Sequence, residues 1–207
     1  MDISLVERIV EREWSMFSTV SNVGGPASCQ FEPATFRIMR TSQICDWPEP
    51  LLQSYHSDLM AAEKQGRNLM SEKYARMMES TFPDEYREIA PLLPEVDAAA
   101  LAMVEDIVAA HVAWKMETAQ KYPLLTDRGR AVLTKDDTRY GTSFETYLRG
   151  ELKTYSPQTI RLLYEYTMDQ KRCGENGTEA TLLRQVNQYG YATLEDAEYQ
   201  NKSKYGS

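Results

Sequence analysis

Two stretches of this chain hold residues whose types and spacing suit chemistry. The first is Gly66-Arg67-Asn68-Leu69-Met70-Ser71-Glu72-Lys73-Tyr74-Ala75-Arg76-Met77-Met78-Glu79-Ser80-Thr81. Wound as a helix, it sets Met70, Tyr74, Met77 and Met78 on one side and Glu72, Arg76 and Glu79 on another, with Lys73 flanking them. The second runs from Thr142 to Tyr155, where Glu145, Arg149 and Lys153 step by four along one face. Cationic groups in such rows can anchor an anion, Arg through its bidentate fork, and a neighbouring Glu can move a proton. The same spacing also makes i,i+4 and i,i+3 acid–base pairs, worth roughly 0.2–0.5 kcal/mol each on a water-facing side. The polar side of the first helix is therefore either an ion-pair ladder or one wall of a charged pocket.

Other chemistries find less support. In Asn22-Val23-Gly24-Gly25-Pro26 the glycine pair can present backbone N–H groups to an anion, and Cys29 follows closely. A nucleophilic cysteine wants a histidine within reach. The chain has only His56 and His111, and His111 falls in the apolar period of its helix, so a plain turn is expected there. No HExxH or ExxH pair predicts a metal site, and Walker, Rossmann and GxSxG patterns are absent, which leaves any cofactor undefined.

Composition narrows the classes further. The 207 residues carry 23 Lys and Arg against 31 Asp and Glu, a net charge of -8 that disfavours non-specific nucleic-acid binding. Three cysteines without a CxxC pair fit a reduced compartment. The N-terminus reads as an amphipathic helix start, and no apolar run is long enough to span a bilayer, so no membrane is expected and a cytoplasmic location is. Ten Met and thirteen Tyr point to a core filled by flexible and amphipathic side chains.

The elements that must position these residues are helical throughout. Apolar residues recur at three- and four-residue steps in 2–20, 34–46, 51–65 and 96–122, with Pro, Gly or paired Gly between segments. Gly66 reads as a left-handed C-cap, Pro83–Asp84 as a short helix start, and Pro123 as the end of the long helix. Thr142 three positions before Glu145 fits a capping box, and Ser156-Pro157 opens a further helix. Gly150, inside a helix, suggests the close approach of another backbone or a ligand, with helix packing the favoured reading. Residues 123–141 show no period, and their charged part, with Asp127, Arg128, Arg130, Lys135, Asp136, Asp137 and Arg139, is either solvated or a lid. The expectation is an all-α single domain over 1–199, of about eight or nine helices with one long irregular loop, followed by a frayed tail over 200–207.

Several motifs resemble the bacterial domain-of-unknown-function family 4125. They are Glu13-Trp14-Ser15-Met16-Phe17, Asn22-Val23-Gly24-Gly25, Cys29-Gln30, Phe36-Arg37-Ile38-Met39-Arg40, Ser42-Gln43, most of the 66–81 stretch, and Thr142 to Leu152. The resemblance implies a bacterial intracellular protein and brings no activity, substrate or catalytic residue with it. It does imply that polar residues of these motifs, among them Glu13, Asn22, Gln30, Arg40, Lys73, Arg76, Glu79, Glu145, Arg149 and Glu151, share a pocket or a buried network.

Two functions follow as expectations. In one, an anionic small molecule is held by Lys73, Arg76 and Arg149, with Arg40, Asn22 and Gln30 as further binding residues and Glu79 or Glu145 as the acid or base. That reading needs the motif segments to converge on one cleft. In the other, the charges form an internal structural network and the outer surface binds a protein partner or a second copy of the chain.

Overall fold

Each helix of this chain starts and stops where a side chain or a turn satisfies its free backbone groups. Asn68, Asp97, Ser143, Ser156 and Asn176 accept N–H groups of the first turns that follow them. Gly66, at φ +69°, lets Arg67 N–H reach back to the Ala62 carbonyl at 2.9 Å and closes the preceding helix as expected. The computed structural model describes residues 3–21, 28–127 and 129–205. Among them are eleven α-helices and no strand: α1 Ile3–Ser18, α2 Pro33–Ile44, α3 Glu49–Lys64, α4 Leu69–Thr81, α5 Pro83–Ile89, α6 Ala98–Lys121, α7 Pro123–Thr126, α8 Phe144–Leu152, α9 Pro157–Arg172, α10 Gly177–Gln188 and α11 Leu194–Tyr205.

The all-α expectation holds, with a slightly higher helix count. Pro123 opens a one-turn helix rather than only closing α6, because proline at a first helical position gives up an N–H that has no partner anyway. α11 carries helical backbone on through Asn201 to Tyr205. The cap of α8 is Ser143, not Thr142: its buried hydroxyl accepts from Thr146 N–H at 3.1 Å, while Thr142 accepts from Arg130. Met116 is exposed rather than buried.

The apolar stripes meet in one main core. Leu5, Val6, Ile9 and Val10 of α1 pack with Leu51, Leu52, Tyr55 and Leu59 of α3, with Val104, Ile107 and Val108 of α6, and with Ile160 and Leu163 of α9. α4 lies along α8 and against α1, and α10 closes over α2 and α6. A small second core of Val186, Leu194 and Ala197 joins α10 to α11.

Gly150 explains the α4–α8 contact. A Cβ there would stand 3.0 Å from both the Lys73 carbonyl oxygen and Met77 Cγ, so packing rather than a ligand requires the glycine. Gly150→Ala is therefore expected to lower stability by about 1–3 kcal/mol in urea unfolding, overriding the roughly 1 kcal/mol that helix propensity alone would add. A gain in stability would mean that α4 and α8 can part cheaply.

The irregular stretch between α7 and α8 is tied down by one carboxylate. Asp137 accepts from Ser80 Oγ at 2.5 Å, Ser143 N–H at 2.5 Å and Thr146 Oγ1 at 2.6 Å. Burial alone would raise its pKa, but these hydrogen bonds hold it below the usual range. The loop is thereby fixed to both α4 and α8.

Candidate functional site: a basic aromatic cleft above a buried ion network

Four ionic side chains meet inside the helix bundle. Arg40 of α2 donates through Nε to Glu13 Oε2 at 2.8 Å, pairs through Nη2 with the other Glu13 oxygen, and reaches Glu151 Oε1 through Nη1 at 2.9 Å. Lys73 of α4 donates to Glu151 Oε2 at 2.5 Å. Tyr55 and Tyr155 donate their hydroxyls to Glu13 and Glu151 at 2.6 and 2.7 Å. Two carboxylates, one guanidinium and one ammonium sum to zero charge, which is how a buried cluster keeps its ions without net desolvated charge. All four are buried, and Glu13 is wholly inaccessible.

Burial would raise the pKa of Glu151, yet the Arg40 and Lys73 charges and the hydrogen bonds from Lys73 and Tyr155 hold it far below the usual carboxylate range. Burial and the nearby carboxylates push Tyr55 and Tyr155 well up. Glu151 is therefore ionised and the two tyrosines stay protonated at neutral pH.

Above the network lies a cleft of about 430 Å³ between α2, α4, α8 and α10, and its walls include Arg40, Lys73, Phe36, Tyr74, Phe144 and Tyr147. A smaller cavity of about 130 Å³ adjoins it and shares Arg40, Gln43, Phe144 and Tyr147 as walls. Lys73 Nζ sits 3.4 Å from the centre of the Tyr147 ring, and the Arg130 guanidinium carbon 4.7 Å from it. Such cation–ring contacts hold Tyr147 on the floor between two positive groups.

Charge in this cleft is not balanced. Glu13 and Glu151 neutralise Arg40 and Lys73, but Lys115 and Arg130 also line the larger cleft, and Glu32 is the one acid on its walls among the described residues. Lys115 of α6 is half-buried, and no hydrogen bond or ion pair holds it among the described residues. Burial lowers its pKa. One turn earlier, His111 lines the adjoining cavity with its ring edge-on to Trp114, at 5.0 Å between centroids. Burial drops its pKa to about 4, so it is neutral at physiological pH.

A second region has a different make-up. Arg76, Ser80, Arg149 and Lys153 line a polar hollow of about 420 Å³ with Glu79 and Glu105. It shares no lining residue with the cleft. Among the described residues no group of three His, Cys, Asp or Glu side chains is placed to hold a metal, and no helix is long and apolar enough to cross a membrane.

A family model described as "Protein of unknown function (DUF4125)" matches residues 3–199. The chain belongs to the DUF4125 family. No curated protein and no solved structure matches it significantly.

In this DUF4125 chain the residues singled out from sequence fall into separate places. Arg40 and Lys73 form the ion network and the cleft floor. Arg76, Arg149 and Glu79 line the second hollow, and Glu145 lies beside it, so the motif segments do not converge on one cleft. Of the two readings of this helix face, the Glu72–Arg76–Glu79 ladder does not form: Glu72 pairs with Arg67 at 2.7 Å, Glu79 with Lys153 at 3.1 Å, and Arg76 donates to the Pro94 carbonyl at 2.6 Å. Glu145 accepts from Arg149 and from Thr134 N–H, both at 2.8 Å. Burial would raise its pKa, and these bonds lower it on balance. Gln30 donates to the Phe17 and Val20 carbonyls at 3.0 and 2.9 Å, closing the end of α1. Asn22 with the Gly24–Gly25 turn, the Cys29 side chain and Arg128 lie outside the described residues.

Sequence reasoning grouped Glu13 and Glu151 with the polar residues of a shared pocket or network but gave them no partners, and it missed Lys115. The signal for the acids lay in the helical period. Glu13 stands between Ile9 and Phe17, and Glu151 four residues before Tyr155, so each occupies a buried position of its stripe. Lys115 carries no such signal, because a lysine beside a stripe usually snorkels to water.

Proposed function

We propose that this protein binds an anionic small molecule with an apolar or aromatic body in the cleft between α2, α4, α8 and α10. The observation that carries the reading is Lys115, a half-buried cation with no acidic partner among the described residues, on the wall of an aromatic-lined cleft in a chain of net charge -8. A cavity of about 430 Å³ has the size of a metabolite site. Lys115 and Arg130 would meet the ligand's charge, the Phe36, Tyr74, Phe144 and Tyr147 rings its body, and the remaining donors of Lys73 its polar edge. The ion network beneath is closed on its own partners, which supports a structural role for it: it fixes Lys73 and Arg40 so that the floor needs no rearrangement on binding.

Calorimetric titration with a set of aryl carboxylates, nucleotides and sugar phosphates, each beside its neutral analogue, tests this. The expected result is saturable binding of an anion and not of its neutral counterpart. Lys115→Met is expected to weaken that binding about tenfold or more, a loss near 1.4 kcal/mol. Its melting temperature should stay close to the wild type, because Lys115 holds no other part of the fold. Equal affinity in Lys115→Met, or no binding across the set, would overturn the proposal.

A further inference from the structure

Arg76 is a buried cation that the protein does not neutralise. The residue is 8% exposed, its one hydrogen bond among the described residues runs from Nη2 to the Pro94 carbonyl, and its Nε has no hydrogen-bond partner there. No carboxylate of the described residues forms an ion pair with it. Burial lowers its pKa, and the charges of Tyr86, Glu72 and Glu79 offset only part of that. Leaving a guanidinium desolvated without a counter-charge is costly, and groups left this way ask for a missing partner.

The surroundings show what that partner would be. Arg76 and Lys153 line two hollows, one of about 420 Å³ with Ser80 and Arg149, and one of about 400 Å³ against Pro94. In the first, Arg149 is held by Glu105 at 2.8 Å and Lys153 by Glu79 at 3.1 Å, so Arg76 supplies the unmet positive charge. The Glu79 side chain is 55% exposed, a rim partner that Lys153 can give up at small cost.

We infer that Arg76 and Lys153 bind a phosphate-class oxyanion, either inorganic phosphate or the phosphoryl group of a small metabolite, at the junction of these two hollows. The site is independent of the aromatic cleft, with which it shares no lining residue. Arg76 contributes a planar fork and Lys153 a mobile point charge, a pairing suited to phosphate oxygens. Glu79 turns to water when the anion enters.

The test is a thermal titration of the full chain with sodium phosphate against sodium chloride at matched ionic strength. A saturable rise in melting temperature with phosphate alone is expected. Arg76→Met should weaken the response about tenfold or more. Lys153→Met, which removes a lysine held only by the exposed Glu79 among the described residues, should weaken it too and remains informative if Arg76→Met fails to fold. Lys64→Met, at the exposed end of α3 and outside both clefts, should respond as the wild type does. Tighter binding of glycerol phosphate than of inorganic phosphate would assign the site to a phosphorylated metabolite, and the reverse to the free ion; either supports the inference. Equal shifts with phosphate and chloride, or a wild-type response in both Arg76→Met and Lys153→Met, would overturn it.

Discussion

Arg40→Met is expected to lower the unfolding free energy by roughly 3–5 kcal/mol, the scale for stripping one partner from a buried ion pair. Among the described residues Arg40 alone touches both acids of the network, bonding Glu13 through two nitrogens and Glu151 through a third. Without it, Glu151 keeps Lys73 and Tyr155, but Glu13 keeps only the Tyr55 hydroxyl among the partners described. A wholly buried carboxylate so placed is protonated rather than left charged. The variant should therefore take up a proton on folding, and its deficit should shrink as pH falls towards about 5. Arg40→Met with Glu13→Gln should recover part of the loss, because the stranded charge is then gone. The coupling between the two sites in such a cycle should exceed about 1 kcal/mol. Urea unfolding of the four proteins at pH 7 and pH 5 reads all of this. A single-variant cost below about 1 kcal/mol, flat with pH, would show that water reaches the network. Arg40 also lines the cleft, so ligand affinity there should fall alongside stability.

The helices were legible because their stripes and caps are local: Gly66, Ser156-Pro157 and the Leu51–Ala62 stripe each act within a few residues. The shift of the α8 cap from Thr142 to Ser143 is a tertiary effect, since Asp137 and Arg130 claim the neighbouring groups. The site was legible only in part. Lys73 and Arg76 sit three apart on one helix, and spacing places them near one another, but it does not say which neighbour each meets. That depends on α8, whose Glu151 lies 78 residues away from Lys73 in sequence, and on the Pro94 carbonyl, 18 residues from Arg76. The i,i+4 spacing of Glu72 and Arg76 does not become a pair because Arg67 takes both oxygens of Glu72 at 2.7 and 2.8 Å, a bidentate contact that the helix spacing does not reveal. Four charged residues at apolar positions of their stripes, Glu13, Arg40, Lys73 and Glu151, were the readable trace of the network. Pairing them required the packing of α1, α2, α4 and α8.

Acid should unfold this protein in two stages, and His111 should account for the first. Its pKa is about 4 in the fold against about 6.5 in the unfolded chain, with burial as the cause. A folded pKa below the unfolded one means that stability is complete above about 6.5 and is lost as pH falls towards 4, because the unfolded chain binds the proton first. The full span is worth about 3 kcal/mol, at roughly 1.4 kcal/mol per unit. His56, lowered by burial and by the Arg12 and Arg8 charges, adds to the same slope. The second stage begins below about 4.5, where the unfolded carboxylates take up protons while Glu151, held low by Arg40 and Lys73, does not. Both stages have the same sign, so no acid optimum should appear. Melting temperatures from pH 8 to pH 3.5 separate them. His111→Leu, apolar and of similar size, should flatten the curve between pH 6.5 and 4.5 and leave the lower stage in place. A His111→Leu curve parallel to the wild type would mean that the imidazole gains a proton partner through the adjoining cavity. That cavity adjoins the cleft that Lys115 lines, so an anion bound in the cleft should lift the first stage as well. The same scan repeated with a bound ligand thus reports whether histidine and cleft are physically joined.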